Sequence, residues 1–318
     1  MKEKVTVIGT LNMELFLQEL ETLPQWGQQR HAGNCKLVPA GSGPRVVFPL
    51  KTLGVDSYLI GKVGDDIYGQ EILDVLKRYK LSSAGIESAS NIQTGVCACL
   101  VRKDGERALL GFLGSVNKTD EALIHQHYNL IKKTDFLLVT GYWNLPGLRK
   151  GTKRIFRKAK SDGKYTLLDP GWNVENWPQG TRKEILELLP FVDTFLPNKE
   201  EAMILSGKDS AKEIAQFFLD AGAKEVIIKL GGEGGAGCSA KEGFFRKEAL
   251  PVKVIDTTAA GEAFNAGVLY GLIKNWNLEK RLRFANTLAG LVISDPTGNY
   301  PNLTKVMKKM GGMNVKKC

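Results

Sequence analysis

Histidine is scarce, with three in 318 residues, and none lies near Cys97 or Cys99. Those two thiols would share one face of a strand, but without imidazole neighbours they do not make a zinc site. The five cysteines (Cys35, Cys97, Cys99, Cys238, Cys318) are odd in number, scattered and free of any Cys-x-x-Cys pair. Reduced thiols in a cytoplasmic setting, rather than a disulfide framework, are the expectation. No apolar run approaches the roughly 20 residues that span a bilayer. The opening Met1-Lys-Glu-Lys-Val-Thr-Val-Ile-Gly9 passes straight into a strand-like run and does not read as a signal peptide, so no membrane partner is expected. Internal repeats, low-complexity tracts and linkers are missing too, which leaves one α/β domain over 1–318 with a substantial core.

Acidic residues are outnumbered 34 to 44, giving a formal net charge of +10. Such an excess can mark a nucleic-acid binder. Here the basic residues are spread out, apart from modest clusters at 149–160 and 305–317. No aromatic-interleaved basic stripe is present, so a nucleic-acid partner is not expected. A solvated basic surface that attracts anionic nucleotides is the better account. There is no Gly-x-x-x-x-Gly-Lys-Ser/Thr loop. One formal Gly232-x-Gly234-x-x-Gly237 occurs, but 238–246 reads as strand and turn, which rules out a dinucleotide fingerprint.

What is present is alternation. Residues 4–9 form a first strand that ends in Gly9-Thr-Leu-Asn12-Met-Glu14, with polar groups at its carboxyl end, where open α/β sheets bind ligands. Residues 15–38 lack helical periodicity and read as short strands, such as 29–31 and 35–38. Pro39 to Arg45 is a glycine-containing turn that opens a helix over 46–53, stopped at Gly54, with Pro44 suited to the first helical turn. A strand at 57–63, a polar turn at 64–69 and a helix at 70–79 follow. Asp104-Gly105 between the apolar runs 94–101 and 108–112 signals a hairpin. From 136 onward strands alternate with helices, at 136–140, 149–161, 165–169, 184–189, 194–196, 200–206, 211–221 and 226–230. That is the rhythm of a parallel sheet covered on both faces. Helices at 278–292 and 302–310 complete the chain. The early strands and the hairpin fit this rhythm poorly, and are expected to form a β-lid from about 12–38 and 92–115.

The chain is organised around residues 252–272. An apolar alternation (Val252, Val254) reads as a strand leading to Asp256-Thr257, then small residues Ala259-Ala260-Gly261 enter a helix that runs to Ile273. Such a turn aims bare N–H groups outward and adds the positive end of the helix dipole, so an anion such as phosphate is its natural occupant. Glu262 is either a helix-start acid or a group facing whatever the amides hold. Asn198 and Glu201, three apart at a strand-to-helix junction, make a good capping box as plain structure.

The stretch Asp256-Thr257-x-Ala259-Ala260-Gly261-Glu262 resembles the C-terminal signature of the ribokinase-like (PfkB) carbohydrate kinases, Asp-Thr-x-small-small-Gly-Asp. Gly61-Lys-Val-Gly-Asp-Asp66-x-x-Gly69, Asn198-x-x-Glu201 and Ile227-Ile-Lys229-Leu-Gly231-Gly-Glu-Gly234 match further family stretches in the family's order. The resemblance implies a doubly wound αβα ribokinase-like domain with a small β-lid, and ATP-dependent transfer of the γ-phosphoryl group to a hydroxyl of a sugar or sugar-like acceptor. It implies that the Ala260, Gly261 and Glu262 amides hold the transferring group and that Glu262 is the base. Asn198, Lys229, Gly231, Gly234 and Asn286 would meet the nucleotide, and Glu201 would reach Mg2+ through water. Asp256 and Thr257 mark a candidate monovalent-cation neighbourhood, and a homodimer through the lid is a candidate assembly.

On the acceptor side Gly9-x-x-Asn12-x-Glu14 and Ala40-Gly41-Ser-Gly43-Pro-Arg45 resemble the family's Gly-x-x-Asn-x-Asp and Gly-Gly-x-Gly-x-Asn. Asn12, Glu14, Gly41, Gly43 and Arg45 would therefore line the sugar pocket. Four departures stand out: Glu for Asp at 14 and at 262, Ala for Gly at 40, and Arg for Asn at 45. An extra methylene changes reach by about 1.5 Å, and misplacement on that scale can cost on the order of 100-fold. Two readings stay open. Either the pocket is retuned, with Arg45 meeting an anionic acceptor, or the scaffold binds nucleotide or a partner without catalysis.

Overall fold

The computed structural model describes residues 4–295 and 297–312. The elements run β1 (Lys4–Ile8), β2 (Asn12–Leu20), β3 (Asn34–Ala40), α1 (Ser42–Thr52), β4 (Asp56–Gly64), α2 (Ile67–Arg78), β5 (Ile86–Ala89), β6 (Gly95–Arg102) and β7 (Arg107–Phe112). They continue with α3 (Glu121–Gln126), α4 (Tyr128–Lys132), β8 (Phe136–Thr140), α5 (Arg149–Ser161), β9 (Tyr165–Asp169), α6 (Thr181–Leu188), β10 (Thr194–Phe195), α7 (Lys199–Ser206), α8 (Ala211–Asp220) and β11 (Glu225–Lys229). The last are β12 (Gly235–Ser239), β13 (Gly243–Lys247), α9 (Ala260–Ile273), α10 (Leu278–Ile293) and α11 (Leu303–Gly312).

Nine strands form the main sheet in the order β13-β12-β11-β10-β9-β8-β1-β4-β5. Pairing is parallel from β11 to β5, and only β12 and β13 run antiparallel at one edge. The parallel strands carry near-continuous apolar runs because both faces are covered. In β8, Leu137 and Val139 join one core while Leu138 joins the other; in β11, Val226 and Ile228 part from Ile227 in the same way. Helices α3 to α8 supply side chains to the first core, and α1, α2 and α9 to α11 to the second. Each fully buried Leu, Val or Ile contributes about 1.5–3 kcal/mol. Among the described residues no helix is long and apolar enough to cross a membrane.

Helix α9 has almost no polar face because it is sandwiched: it packs on α1 and α10, and Ala263 to Gly271 are all buried. Gly267 permits the close crossing, since a Cβ there would lie 2.6 Å from Ala285 Cα.

A second, four-stranded sheet has the order β3-β2-β6-β7. The sequence predicts short strands in this region, including 29–31, but β2 is one nine-residue strand and 21–33 is turn and loop. Pairing on both sides explains the length: β2 lies antiparallel to β3 and parallel to β6. The strand predicted at Val252–Val254 is absent. Val254 and Ile255 are exposed, and the segment is tied instead to the end of α10 through Ile255 N–H donating to Ile293 O at 2.9 Å. Helices α1 and α2 start earlier than predicted. α1 begins directly after Gly41, whose φ of 101° suits glycine, and Asp66 caps α2 by accepting from Gly69 N–H.

Candidate active site

β1 is the switch point of the sheet. β4 and β5 extend it to one side and β8 onward to the other, so the connections after β1 and β8 part and leave a crevice at the carboxyl ends. A cavity of about 1390 Å3 occupies that crevice and continues under the second sheet. Strand ends deliver its polar groups: Thr10 after β1, Gly141 after β8, Asp169 on β9, Asn198 after β10 and Lys229 on β11.

At one end β2 contributes Asn12 and Glu14, and α1 contributes Gly41 and Arg45. Glu14 and Arg45 form an ion pair whose side chains are only 9% and 16% exposed. Burial opposes the Arg45 charge, yet the carboxylates of Glu14 and Glu262 hold its pKa above the usual arginine value. The Cys99 thiol lies 3.7 Å from Glu14 Oε2. Two expectations change here. Arg45 spends its charge on this chain's own carboxylates, which removes the main argument for an anionic acceptor. Gly43 does not line the cavity: its N–H donates to Thr10 O at 3.1 Å, and a Cβ there would meet Leu59 at 2.6 Å. Its smallness lets the start of α1 sit against Leu59 of β4.

In the middle, Glu262, Asp169, Lys229 and Glu201 gather beside the start of α9. Lys229 Nζ lies 3.0 Å from Asp169 Oδ1, and the other Asp169 oxygen accepts from Asn265 Nδ2 at 2.7 Å and Thr140 Oγ1 at 2.9 Å. Burial works against the Lys229 charge, but Asp169, Glu201 and Glu262 more than offset it and raise its pKa. Burial pushes the Glu201 carboxyl up to about 7, with Lys229 opposing and Asp169 adding to the rise. Glu262 is likewise raised, first by desolvation, with Arg45 pulling the other way.

Asn198 and Glu201 do form the capping box. Glu201 N–H donates to Asn198 Oδ1 at 2.8 Å, and Glu201 accepts from Asn198 N–H at 2.8 Å and from Asn198 Nδ2 at 2.7 Å. Both residues also line the cavity, so a cap does not exclude a binding role.

The start of α9 has no side-chain cap; Ala259 stands there in the left-handed region at φ 66°. Ala260, Gly261 and Glu262 all line the cavity, although the Ala260 amide is 3.3 Å from Thr257 O and so partly engaged. Asp256 does not reach the cavity as Thr257 does; its Oδ1 accepts from Thr258 N–H at 2.8 Å and shapes the turn. At the far end lie Gly231, Gly234 and Asn286, whose Nδ2 donates to the carbonyls of Lys247 and Glu248 at 2.9 and 3.1 Å.

Sequence reasoning gave no site role to three contributors, although Asp169-Pro-Gly-Trp172 matches a family stretch. Asp169 stood at the end of a predicted strand, so the rule for strand ends could have found it. Trp172 lines the cavity two residues after Pro170. Arg107 left no local signal, because its contacts are 150 residues away: Nη1 donates to Thr257 Oγ1 at 3.3 Å.

A family model described as pfkB family carbohydrate kinase matches residues 2–305. An uncharacterized sugar kinase of Archaeoglobus fulgidus is 34% identical over 251 residues, covering 77% of this chain and 94% of that protein. The structure of Arabidopsis thaliana ribokinase complexed with ribose and ATP superposes with a TM-score of 0.83 at 23% identity, covering 98% of this chain and 99% of that one. A putative ribokinase II of E. coli, in complex with ATP and Mg2+, gives 0.83 at 21% identity, over 98% and 99%.

Proposed function

Since the chain belongs to the pfkB family of carbohydrate kinases, we propose that this cavity transfers the γ-phosphoryl group of ATP to a hydroxyl of a sugar or sugar-like acceptor. The observation that carries the reading is the uncapped start of α9 facing a cluster of opposed charges, Glu262, Asp169, Lys229 and Glu201, within one cavity.

The residues fit Mg2+ and a nucleotide. Among the described residues no set of three His, Cys, Asp or Glu side chains could cage a metal; Mg2+ needs none, because it keeps waters and takes one or two carboxylates plus phosphates. Glu201, with a pKa of about 7, offers one such carboxylate. When bound, Mg-ATP supplies the phosphoryl group and the metal shields its charge.

The chain's own groups do the rest. The α9 amides and dipole favour an anion at that helix start. Lys229 adds positive charge and is held in place by Asp169. Glu262 takes the acceptor's proton, and its raised pKa makes it a stronger base than an exposed glutamate. The Arg45–Glu14 pair lets each substituted residue satisfy the other, which supports an intact acceptor pocket over a decayed one, but not one in which Arg45 meets an anionic acceptor. It also directs the acceptor toward a neutral polyol.

The second sheet acts as the lid in this reading, and exposed Leu110 and Phe112 on its edge strand β7 support a homodimer through it. A monovalent cation near Asp256 and Thr257 belongs to the same reading, and dependence of the rate on K+ checks it. Calorimetry with Mg-ATP, followed by ADP release across neutral sugars, polyols and sugar acids, tests the whole. Nucleotide binding without turnover on any acceptor would favour the non-catalytic scaffold instead.

A further inference from the structure

Arg107 is the first residue of β7, in the second sheet, yet its guanidinium contacts the main domain. Nη1 lies 3.3 Å from Thr257 Oγ1 and 3.4 Å from Thr258 Oγ1, in the turn that leads into α9. Strand alternation aims it there: Arg107, Leu109 and Gly111 share a face of β7, and all three line the cavity. The hairpin is fixed by Arg102, which pairs with Asp104 and Glu106.

Its electrostatic surroundings differ from those of the other two arginines that line the cavity, Arg45 and Arg246. Arg45, Arg149, Arg154, Arg246 and Arg281 each pair with a carboxylate. Among the described residues the partners of Arg107 are two hydroxyls, and it stands beside the positive end of a 14-residue helix. A cation there is repelled by the helix dipole, and hydroxyls return little more than water would. An anion between the guanidinium and the helix start turns that repulsion into attraction from both sides.

We propose that Arg107 is a catalytic residue that contacts the terminal phosphoryl oxygens, so that the second sheet closes on the γ-phosphoryl group rather than on the nucleotide as a whole. The inference rests on the kinase reading. In the reaction the acceptor oxygen bonds to phosphorus, the bond from phosphorus to the β–γ bridging oxygen breaks, ADP leaves, and the hydroxyl proton passes to Glu262. Arg107 forms no covalent bond; its N–H groups hold charge on the transferring oxygens.

The test is calorimetry of a non-hydrolysable Mg-ATP analogue and of Mg-ADP, with the parent, Arg107→Ala and Arg107→Lys. Arg107 is exposed, so unchanged melting temperatures are expected for both variants. Arg107→Ala should lose about 10- to 100-fold in affinity for the analogue, the range of a charge-assisted hydrogen bond, with ADP affinity unchanged. Arg107→Lys should keep part of that preference, as a charge without the fork. If Arg107→Ala leaves both affinities unchanged, or lowers them equally, the inference fails while the kinase reading stands. A parent that binds neither nucleotide at millimolar concentration overturns both.

Discussion

At the scale of residues the decisive pair is Glu14 and Arg45. Each departs from the family pattern, and the two meet with their side chains largely buried. Removing one partner leaves the other's charge buried and alone, which costs about 3–5 kcal/mol for such pairs. Arg45→Ala is therefore expected to lower stability by roughly 3 kcal/mol. Glu14→Gln combined with Arg45→Ala should recover much of the loss, and a double-mutant cycle by denaturant unfolding reads the coupling. Additive losses would show that the pair is not coupled. Arg107 was not legible in the sequence, and the partnership was legible only as one alternative for Arg45, beside a ligand or solvent. Residues 14 and 45 could be placed in one pocket by motif, but whether Arg45 served a ligand or Glu14 depended on side-chain direction.

At the scale of elements, α9 carries both packing and chemistry. Gly267→Leu would press a branched side chain onto Ala285, where even a Cβ would stand 2.6 Å from the backbone. Overpacking of this kind costs about 1–3 kcal/mol. Because that helix start is the proposed anion site, nucleotide affinity should fall along with the melting temperature. A melting temperature equal to the parent's would contradict the close crossing.

Helix α7 gives a pH dependence. Burial raises Glu201 from 4.5 to about 7, so the folded chain holds this proton more tightly than the unfolded one. Its contribution to stability is complete below about pH 4.5 and is lost as pH rises through 7. Metal binding has the opposite sign, since only the ionised carboxylate attracts Mg2+. From pH 6 to 8 the affinity for a Mg-nucleotide should rise by about 10-fold in the parent through ionisation of Glu201. Glu201→Gln should lack that component. Equal pH slopes for the two proteins would remove Glu201 from the metal's surroundings.

At the scale of the whole molecule, the parallel sheet was legible because its strands are apolar on both faces and alternate with helices at short intervals. Strands over 136–140 and 165–169, and the helix over 149–161, coincide with the structure. The second sheet was harder to read. Its strand β2 pairs with residues 16 to 28 positions away on β3 and 82 or 83 away on β6, so its length depends on those partners and not on local pattern. Residues 252–254 alternate like a strand, but no neighbouring strand pairs with them, and their apolar groups lie along the cavity. The site itself was partly legible for a physical reason: strand ends and an uncapped helix start are marked in sequence by glycines and polar residues. Cross-domain contacts carry no such mark.

The central claim is that Glu262 is the base of a working phosphoryl transfer. Its amide belongs to the turn proposed to hold the anion, so on this account the backbone cannot retreat to absorb the longer side chain and the acceptor pocket must be matched to it. ADP release by the parent, Glu262→Asp and Glu262→Gln, measured with the acceptor that the parent prefers, tests this directly. Glu262→Asp should fall by roughly 100-fold through lost reach, and Glu262→Gln should fall at least as far through loss of the base. A Glu262→Gln protein that keeps the parent's acceptor-dependent rate, or a Glu262→Asp protein faster than the parent, would contradict the account.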